Sequence, residues 1–327
     1  MSDELQETQW RARRDAHHAR VDAWISPHLE RRRRGIPHPV EDFLFTYYSY
    51  TPAALRSWHP GIGVALRGEG VSEFRGCSAY CVDGDSAHVD AELASTRRER
   101  VSWIRGLLVS TAGRSPVLGC FGLHEWAMVY RQRPDELRHP AYPLRLGSSG
   151  TDAVVESHRI TCTHFDAFPF FAQPARSLNL VQPTRASQSV NDQPGCLHAA
   201  MDCYKWAFKL APFTPSELVA DCFELAREVR LVDMRAAPYD LRALGVEPIR
   251  IEAAEGKAVY VAYQRDFAAR SGRLRERLVG ICDTVLEAGH PHLRLSNVAA
   301  RSTPPEPSPG PAVRRPGGVR LVGGAAR

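Results

Sequence analysis

The sequence predicts a mainly α fold: a helical, bundle-like body with a small β-hairpin around residues 62–90 and a long irregular segment around 133–195. Three observations lead there. Helical patterns recur over 90–112, 119–131, 196–211, 215–236 and 255–288. Strand-like alternation is confined to the stretch around Tyr80, Val82, Ala87 and Val89, in a region where glycines at 63, 68, 70, 76 and 84 break any helix. The chain is 43% hydrophobic and 24% charged over 327 residues, a globular composition long enough for one large core or two domains.

Taken in order, residues 3–34 read as a long charged helix with sparse apolar contacts at Trp10, Val21, Trp24, Ile25 and Leu29. The run Arg31–Arg34 ends it at Gly35, which sets 1–35 apart from a body of 36–288. A second helix from Pro39 is apolar enough to belong in the interior, and residues 52–58 form a short one closed by His-Pro-Gly. The hairpin should turn at Asp83-Gly84-Asp85. Residues 133–195 are rich in Pro, Ser and Asn, and a stretch that long is functional or hides short elements. Thr214, Pro215 and Glu217 read as N-cap, N1 and N3 of a capping box for the 215–236 helix. After Gly289, STPPEPSPGP and a Gly/Arg-rich end read as a disordered tail, 289–327.

Charge and cysteine usage narrow the function classes. Gly289–Arg327 carries six arginines against Glu306 and so accounts for the whole net charge of +5. The neutral body argues against a strong footprint for duplex DNA, while the Arg-rich tail could touch phosphates. No apolar run approaches the ~18 residues of a membrane span. The polar first twenty residues lack a secretory h-region, and the eight cysteines then read as reduced thiols, so a cytoplasmic protein without membrane partners is expected. Only three of 42 basic residues are lysines, and two of them, Lys205 and Lys209, share one helix.

Three constellations could carry chemistry. The first is the His124-Glu125 pair beside Trp126, Met128 and Tyr130, costly inside an apolar helix unless hydrogen-bonded or functional. The second joins Glu156 and His158 to His164-Phe165-Asp166 and to Phe168, Phe170 and Phe171. Aromatic faces there can hold flat or cationic rings while a carboxylate or imidazole moves protons. The third is the stripe His198, Asp202, Lys205, Lys209, one position round from the buried face of Leu197, Met201, Tyr204 and Phe208, and flanked by Trp206. It would make a wall for a polar pocket. The competing reading of each is structural: a His-Glu pair bracing the core, a plugged loop, a surface ion pair. On the 215–236 helix, Glu217 and Asp221 complement the dipole, and Glu224 and Glu228 are expected to be solvated or paired with Arg227, Arg230 and Arg235. No chemistry is assigned there.

Read together, HPVEDFLFTYYS (38–49), FGLHEWAMVYR (121–131), LRLGSSGTDAVVESHRITCTHFDAF (144–168), QPTR (182–185), the long run 193–230 and MRAAPYDL (234–241) resemble a family of high-GC bacterial proteins labelled 3-methyladenine DNA glycosylase. The resemblance spans His38 to Gln264 and implies a DNA-repair hydrolase that excises an alkylated purine by water attack on the N-glycosidic bond, with no cofactor. Such base excision needs aromatic faces for a flipped base and a carboxylate for water. Phe165, Phe168, Trp126, Tyr130, Tyr204 and Trp206 are the candidate base-binding residues, and Glu125, Asp166, His164, Lys205 and Asp202 the candidate catalytic ones. Lys205 could instead attack as an amine, with Asp202 one turn away to handle protons. A helix-hairpin-helix site would place His59-Pro60-Gly61-Ile62-Gly63 before Asp83, but Gly68, Gly70 and Gly76 make 64–82 a poor helix.

Two other classes stay open. A metal-dependent hydrolase or oxygenase acting on a small molecule would use His124, Glu156, His158, His164 and His198 as ligands to a divalent ion, although no HExxH or CxxC spacing is present. A non-enzymatic helical scaffold would use these residues only to brace the core. Because each sits in an aromatic setting where an isolated polar group would cost about 1–3 kcal/mol, His124, Glu125, His158, His164 and Asp166 are expected to converge on one pocket, with the 198–209 helix as a wall.

Overall fold

A computed structural model describes residues 3–289. The chain begins with β1 (Asp3–Leu5) and the 27-residue α1 (Glu7–Arg33), then the short α2 (Phe43–Tyr47) and α3 (Pro52–Arg56). β2 (Val64–Arg67), β3 (Tyr80–Asp83) and β4 (Ser86–Val89) follow, then α4 (Ala91–Thr96), α5 (Arg98–Ala112) and α6 (Leu123–Val129). Next come α7 (Gly147–Ser157) and α8 (Gln188–Asn191), then the long α9 (Leu197–Lys209), α10 (Ser216–Ala236) and α11 (Ala254–Ala288). The fold is mainly α with one small sheet, as the patterning predicts.

α9 is the hub. It packs on α10 and α11, while α5 closes the other side of α11. Eleven of its thirteen residues are buried, leaving only Lys205 and Lys209 outside that class. A helix this enclosed must place its polar side chains against partners, because an unpaired buried polar group costs about 1–3 kcal/mol. That constraint builds the site described below.

The 62–90 region forms more than a hairpin. β3 and β4 pair antiparallel around the expected turn, β2 joins β4, and β1 adds in parallel to β2, giving the order β1-β2-β4-β3. Trp10, Trp58, Leu66, Val71 and Ala87 form a satellite core under this sheet, with Trp10 Nε1 donating to the Arg67 carbonyl at 3.1 Å. α1 is therefore fastened at its start by the sheet and along its length by α10, through Arg13–Glu217 and Arg20–Asp221. Residues His59–Gly63 open no helix, and Asp83 sits exposed at the hairpin turn. Gly61, at φ +93°, lets this loop cross the start of α10; a Cβ there would lie 2.8 Å from Pro215 Cγ.

Three local expectations are corrected. The α10 N-cap is Pro215, not Thr214, whose buried hydroxyl has no partner. No side chain caps α10; instead Ser216 N–H donates to the His59 carbonyl at 3.0 Å, while Ser216 Oγ accepts from His59 N–H at 2.8 Å and donates to the Ser57 carbonyl. The acids of α10 find other arginines than those on their own helix: Glu224 pairs with Arg20 and Glu228 with Arg270. The segment 133–195 contains the full helix α7 and several short turns. α7 is poor in helix formers (GSSGTDAVVES), and its helicity rests on burying Thr151, Val154 and Val155. No helix among the described residues is long and apolar enough to cross a membrane. The Pro/Gly/Arg-rich tail from 290 lies outside the described residues.

Candidate functional site

The polar stripe of α9 continues into its neighbours as one connected row. Asp202 accepts from the Tyr48 hydroxyl at 3.0 Å and from Lys205 Nζ at 3.2 Å. Lys205 Nζ also donates to Asp166 Oδ2 at 2.6 Å. His164, fully buried, places Nδ1 3.3 Å from Asp192 Oδ1, and Gln188 donates to the other Asp192 oxygen at 2.9 Å. Its Nε2 has no hydrogen-bond partner and faces Asp202 Oδ2 at 3.7 Å and Asp166 Oδ2 at 4.0 Å.

His198 carries the row inward. Its ring stacks on His164 at 5.1 Å and 8°, and meets His124 edge-on at 4.4 Å. His124 Nε2 then lies 3.3 Å from Asp233 Oδ2, and Arg230 Nη1 donates to both Asp233 (3.2 Å) and Glu125 (2.7 Å). The guanidinium lies 3.8 Å over the Phe43 ring.

Electrostatics assign each group a charge. Burial works against the Lys205 ammonium, but Asp202 and Asp166 outweigh it and hold its pKa above the ordinary lysine value. His164 is likewise raised: burial opposes the proton, while the Asp192 bond and the Asp202 and Asp192 charges favour it. His124 is raised against burial by Asp233. His198, buried between those two rings and close to Arg230 and Lys205, is pushed far down and stays neutral. Burial would raise Glu125, and Arg230 overrides it, so the carboxyl is held below the usual range.

One end of the row opens to solvent. Asp166 and Lys205 keep 26% and 14% of their side chains exposed, at the junction of two surface pockets. The first pocket, about 470 Å³, is walled by Phe43, Tyr47, Tyr48 and Phe170, with Arg138 at its edge over the Phe170 ring. The second, about 430 Å³, holds Phe165, Trp103 and Trp206, with Lys205 Nζ 5.8 Å from the Phe165 ring and 5.0 Å from that of Trp206.

The structure brings together most of the sequence-predicted candidates and separates the rest. His164, Asp166, Asp202, Lys205, His198, His124 and Glu125 share the row. Glu125, however, is sealed at its far end against Arg230 and does not reach a pocket. Phe165 and Trp206 line a pocket, while Phe168 packs on Phe171 at 5.3 Å. Trp126 is fully buried, its Nε1 donating to the Ala236 carbonyl, and Tyr204 is enclosed by Tyr48, Phe208 and Phe223, so neither can stack on a base in this conformation. Tyr130 donates to Glu156, which pairs on the surface with Arg131, and His158 Nδ1 turns to its own helix at Val154 O. Glu156 and His158 therefore stand outside the row. Tyr47, Tyr48, Asp192, Arg230 and Asp233 belong to the site region without having been singled out for it. The doubled tyrosine in a segment too apolar for a surface was the available signal for the first two.

Two triplets offer ligand atoms within 4.8 Å of one another: His164, Asp166 and Asp202, and His124, His198 and Asp233. A side-chain cation already serves each. Lys205 Nζ sits on the carboxylate oxygens of the first and Arg230 on that of the second. Comparison with protein-family profiles, with curated proteins and with solved structures gives no match.

Proposed function

We propose that the protein is a hydrolase that cleaves the N-glycosidic bond of an alkylated purine nucleotide in DNA, with Asp166 directing the attacking water. The observation that carries this reading is the position of Asp166: a carboxylate about a quarter exposed, fixed by Lys205, at the mouth of an aromatic pocket. The resemblance of residues 38–264 to proteins labelled 3-methyladenine DNA glycosylase points the same way. In the step proposed, the C1′–N bond breaks and its electron pair leaves with the base, neutralising the alkylated ring. The water oxygen bonds to C1′, and the proton released passes through Asp166 to solvent. A flat heterocycle in this pocket would pack against the exposed edges and faces of Phe43, Tyr47 and Phe170.

Lys205 then acts as a fixed charge, not as an amine nucleophile. Imine chemistry needs a lysine that sheds its proton, and this one is held protonated by two carboxylates. The test is release of free 3-methyladenine from methylated DNA by the purified protein, and its loss in Asp166→Asn with the melting temperature retained. A metal-dependent reaction is the second reading, favoured by the His164, Asp166 and Asp202 triplet. About one divalent ion per chain, lost on His164→Ala, together with no base release, would replace the first reading by the second.

A further inference from the structure

The pocket on the far side of Lys205 has a charge pattern found in no other pocket described above. Arg100 from α5, Arg185 from the loop before α8, and Lys205 and Lys209 from α9 line it against a single carboxylate, Asp166. Asp166 is already engaged by Lys205. The side chains of Arg100, Arg185 and Lys209 form no ion pair or hydrogen bond with any described residue, whereas Arg13 and Arg20 of α1, Arg230 of α10 and Arg270 of α11 are bound to acids. Three separate elements thus hold unneutralised cations at one concave site. The cost is visible at Lys209, whose pKa is lowered by partial burial and by the neighbouring Lys205, Arg100 and Arg185 charges. Like charges gathered without counter-charge destabilise a fold, and a bound anion removes that penalty.

The remaining walls say which anion. Trp103, an exposed large aromatic at 45%, stands edge-on to Trp206 with ring centroids 5.5 Å apart, and Phe165 lies on the other side of Lys205. Guanidinium and ammonium groups match the several oxygens of a phosphate, and the flat aromatic walls beside them suit the apolar faces of the sugar or of a neighbouring base in a nucleotide chain. We propose that Arg100, Arg185 and Lys209 form a phosphate-binding subsite, which takes the phosphate of a nucleotide unit. The assignment of that phosphate to the substrate of Asp166 rests on the N-glycosidase reading, but the capacity to bind phosphate does not. Both pockets border Asp166, so one nucleotide could place its base on one side of the carboxylate and its phosphate on the other.

Titration of the full chain with inorganic phosphate, read by tryptophan fluorescence, tests the subsite without requiring any catalysis. A saturable change is expected, with chloride at matched ionic strength giving none. Arg100→Gln/Arg185→Gln/Lys209→Gln should weaken binding by at least about tenfold, the effect of losing a charge-assisted hydrogen bond. Its melting temperature should hold or rise, because repulsion is relieved. A phosphate response in the wild type no stronger than that of chloride overturns the proposal, whether or not the variant folds. So does an unweakened response in a folded triple variant. 2′-Deoxyadenosine 5′-monophosphate and a short single-stranded oligonucleotide, compared in the same assay, separate a free phosphate monoester from a backbone phosphate. Binding without release of base from methylated DNA would keep the subsite and remove only the glycosidase reading.

Discussion

At the inner end of the polar row, Glu125, Asp233 and His124 are as buried as the aliphatic core, and Arg230 closes the set. At the outer end, Asp202 and His164 are equally buried and Lys205 closes the set, but Asp166 keeps about a quarter of its side chain in water. Both ends join carboxylates to one imidazole and one cation, two carboxylates at the inner end and three, with Asp192 on His164, at the outer. The neutral His198 ring stands between them and touches the imidazole of each. The comparison teaches that the residue types do not decide what such a cluster does. The inner cluster braces the fold, because the cavity that His124 and His198 border is only about 10 Å³, room for a water and not for a substrate. The same kind of cluster with one carboxylate at a pocket mouth can hold that carboxylate aimed at a substrate.

The sharpest way to break this comparison is to remove each cation in turn. Arg230→Met strands Glu125 without its counter-charge inside the core and leaves Asp233 only His124, and should cost about 3–5 kcal/mol in urea unfolding. Lys205→Met should cost much less, because Asp166 can hydrate and Asp202 keeps its bond from Tyr48. Equal losses at the two positions would mean that access to water does not distinguish the ends.

Activity should divide the ends in the opposite sense. Asp166→Asn keeps the shape of the side chain while removing its charge, and should slow base release by about 100- to 1,000-fold, roughly 3–4 kcal/mol of barrier. Single-turnover kinetics on methylated DNA, with thermal melting as the check on folding, give the measurement. Chelators should leave the wild-type rate unchanged. In Lys205→Met, by contrast, the His164, Asp166 and Asp202 atoms lose their resident cation and should acquire affinity for Zn²⁺ or Co²⁺, measurable by calorimetry. A wild-type protein that binds the metal at least as well would show that Lys205 is not what fills the site.

The pH dependence of stability sharpens the contrast between the end histidines and His198. His124 and His164 hold protons more tightly folded than unfolded, so their contribution is complete below about pH 6.5 and is lost as pH rises through their raised pKa values. His198, kept neutral, works the other way: its contribution is present above about pH 6.5 and is lost as pH falls. His59, whose pKa burial lowers to about 4, does the same between pH ~6.5 and ~4, and accounts for at most about 3 kcal/mol. Melting temperature should therefore peak in the neutral range. His164→Gln should flatten the alkaline side and His59→Asn the acid side. A His164→Gln profile parallel to the wild type would remove His164 from the set of protonated groups.

The helical stripes of α9 were legible in the sequence because helix geometry fixes which side chains share a face, and His198, Asp202 and Lys205 do line the row. The inner partners were not. Glu125 meets Arg230 across 105 residues, and nothing in local spacing announces so distant a pairing. Glu217 was assigned to a cap because its spacing from Thr214 suits one, yet it bonds Arg13 and Trp58, contacts that exist only once α1 and the 57–61 loop dock. β1 and α7 escaped for a related reason. Three polar-leaning residues and a Gly/Ser-rich stretch have weak intrinsic preference and take their structure from what they pack against.

The smallest expected effect belongs to Glu156 and His158, which the sequence groups with His164 and Asp166 and the structure places elsewhere. Glu156 is a half-exposed carboxylate paired with Arg131 and Tyr130, and its charge is shared with solvent. His158 Nδ1 faces a carbonyl of its own helix, one turn back. Neither group reaches Asp166, and neither contacts the cations that balance the row. Glu156→Gln and His158→Gln should each move the melting temperature by less than about 2 °C. Base release should stay within about twofold of the wild type, less than half a kcal/mol of barrier. A tenfold loss of rate in either variant, with the fold intact, would show that the reacting centre extends to α7 and would move the boundary of the functional end beyond Asp166.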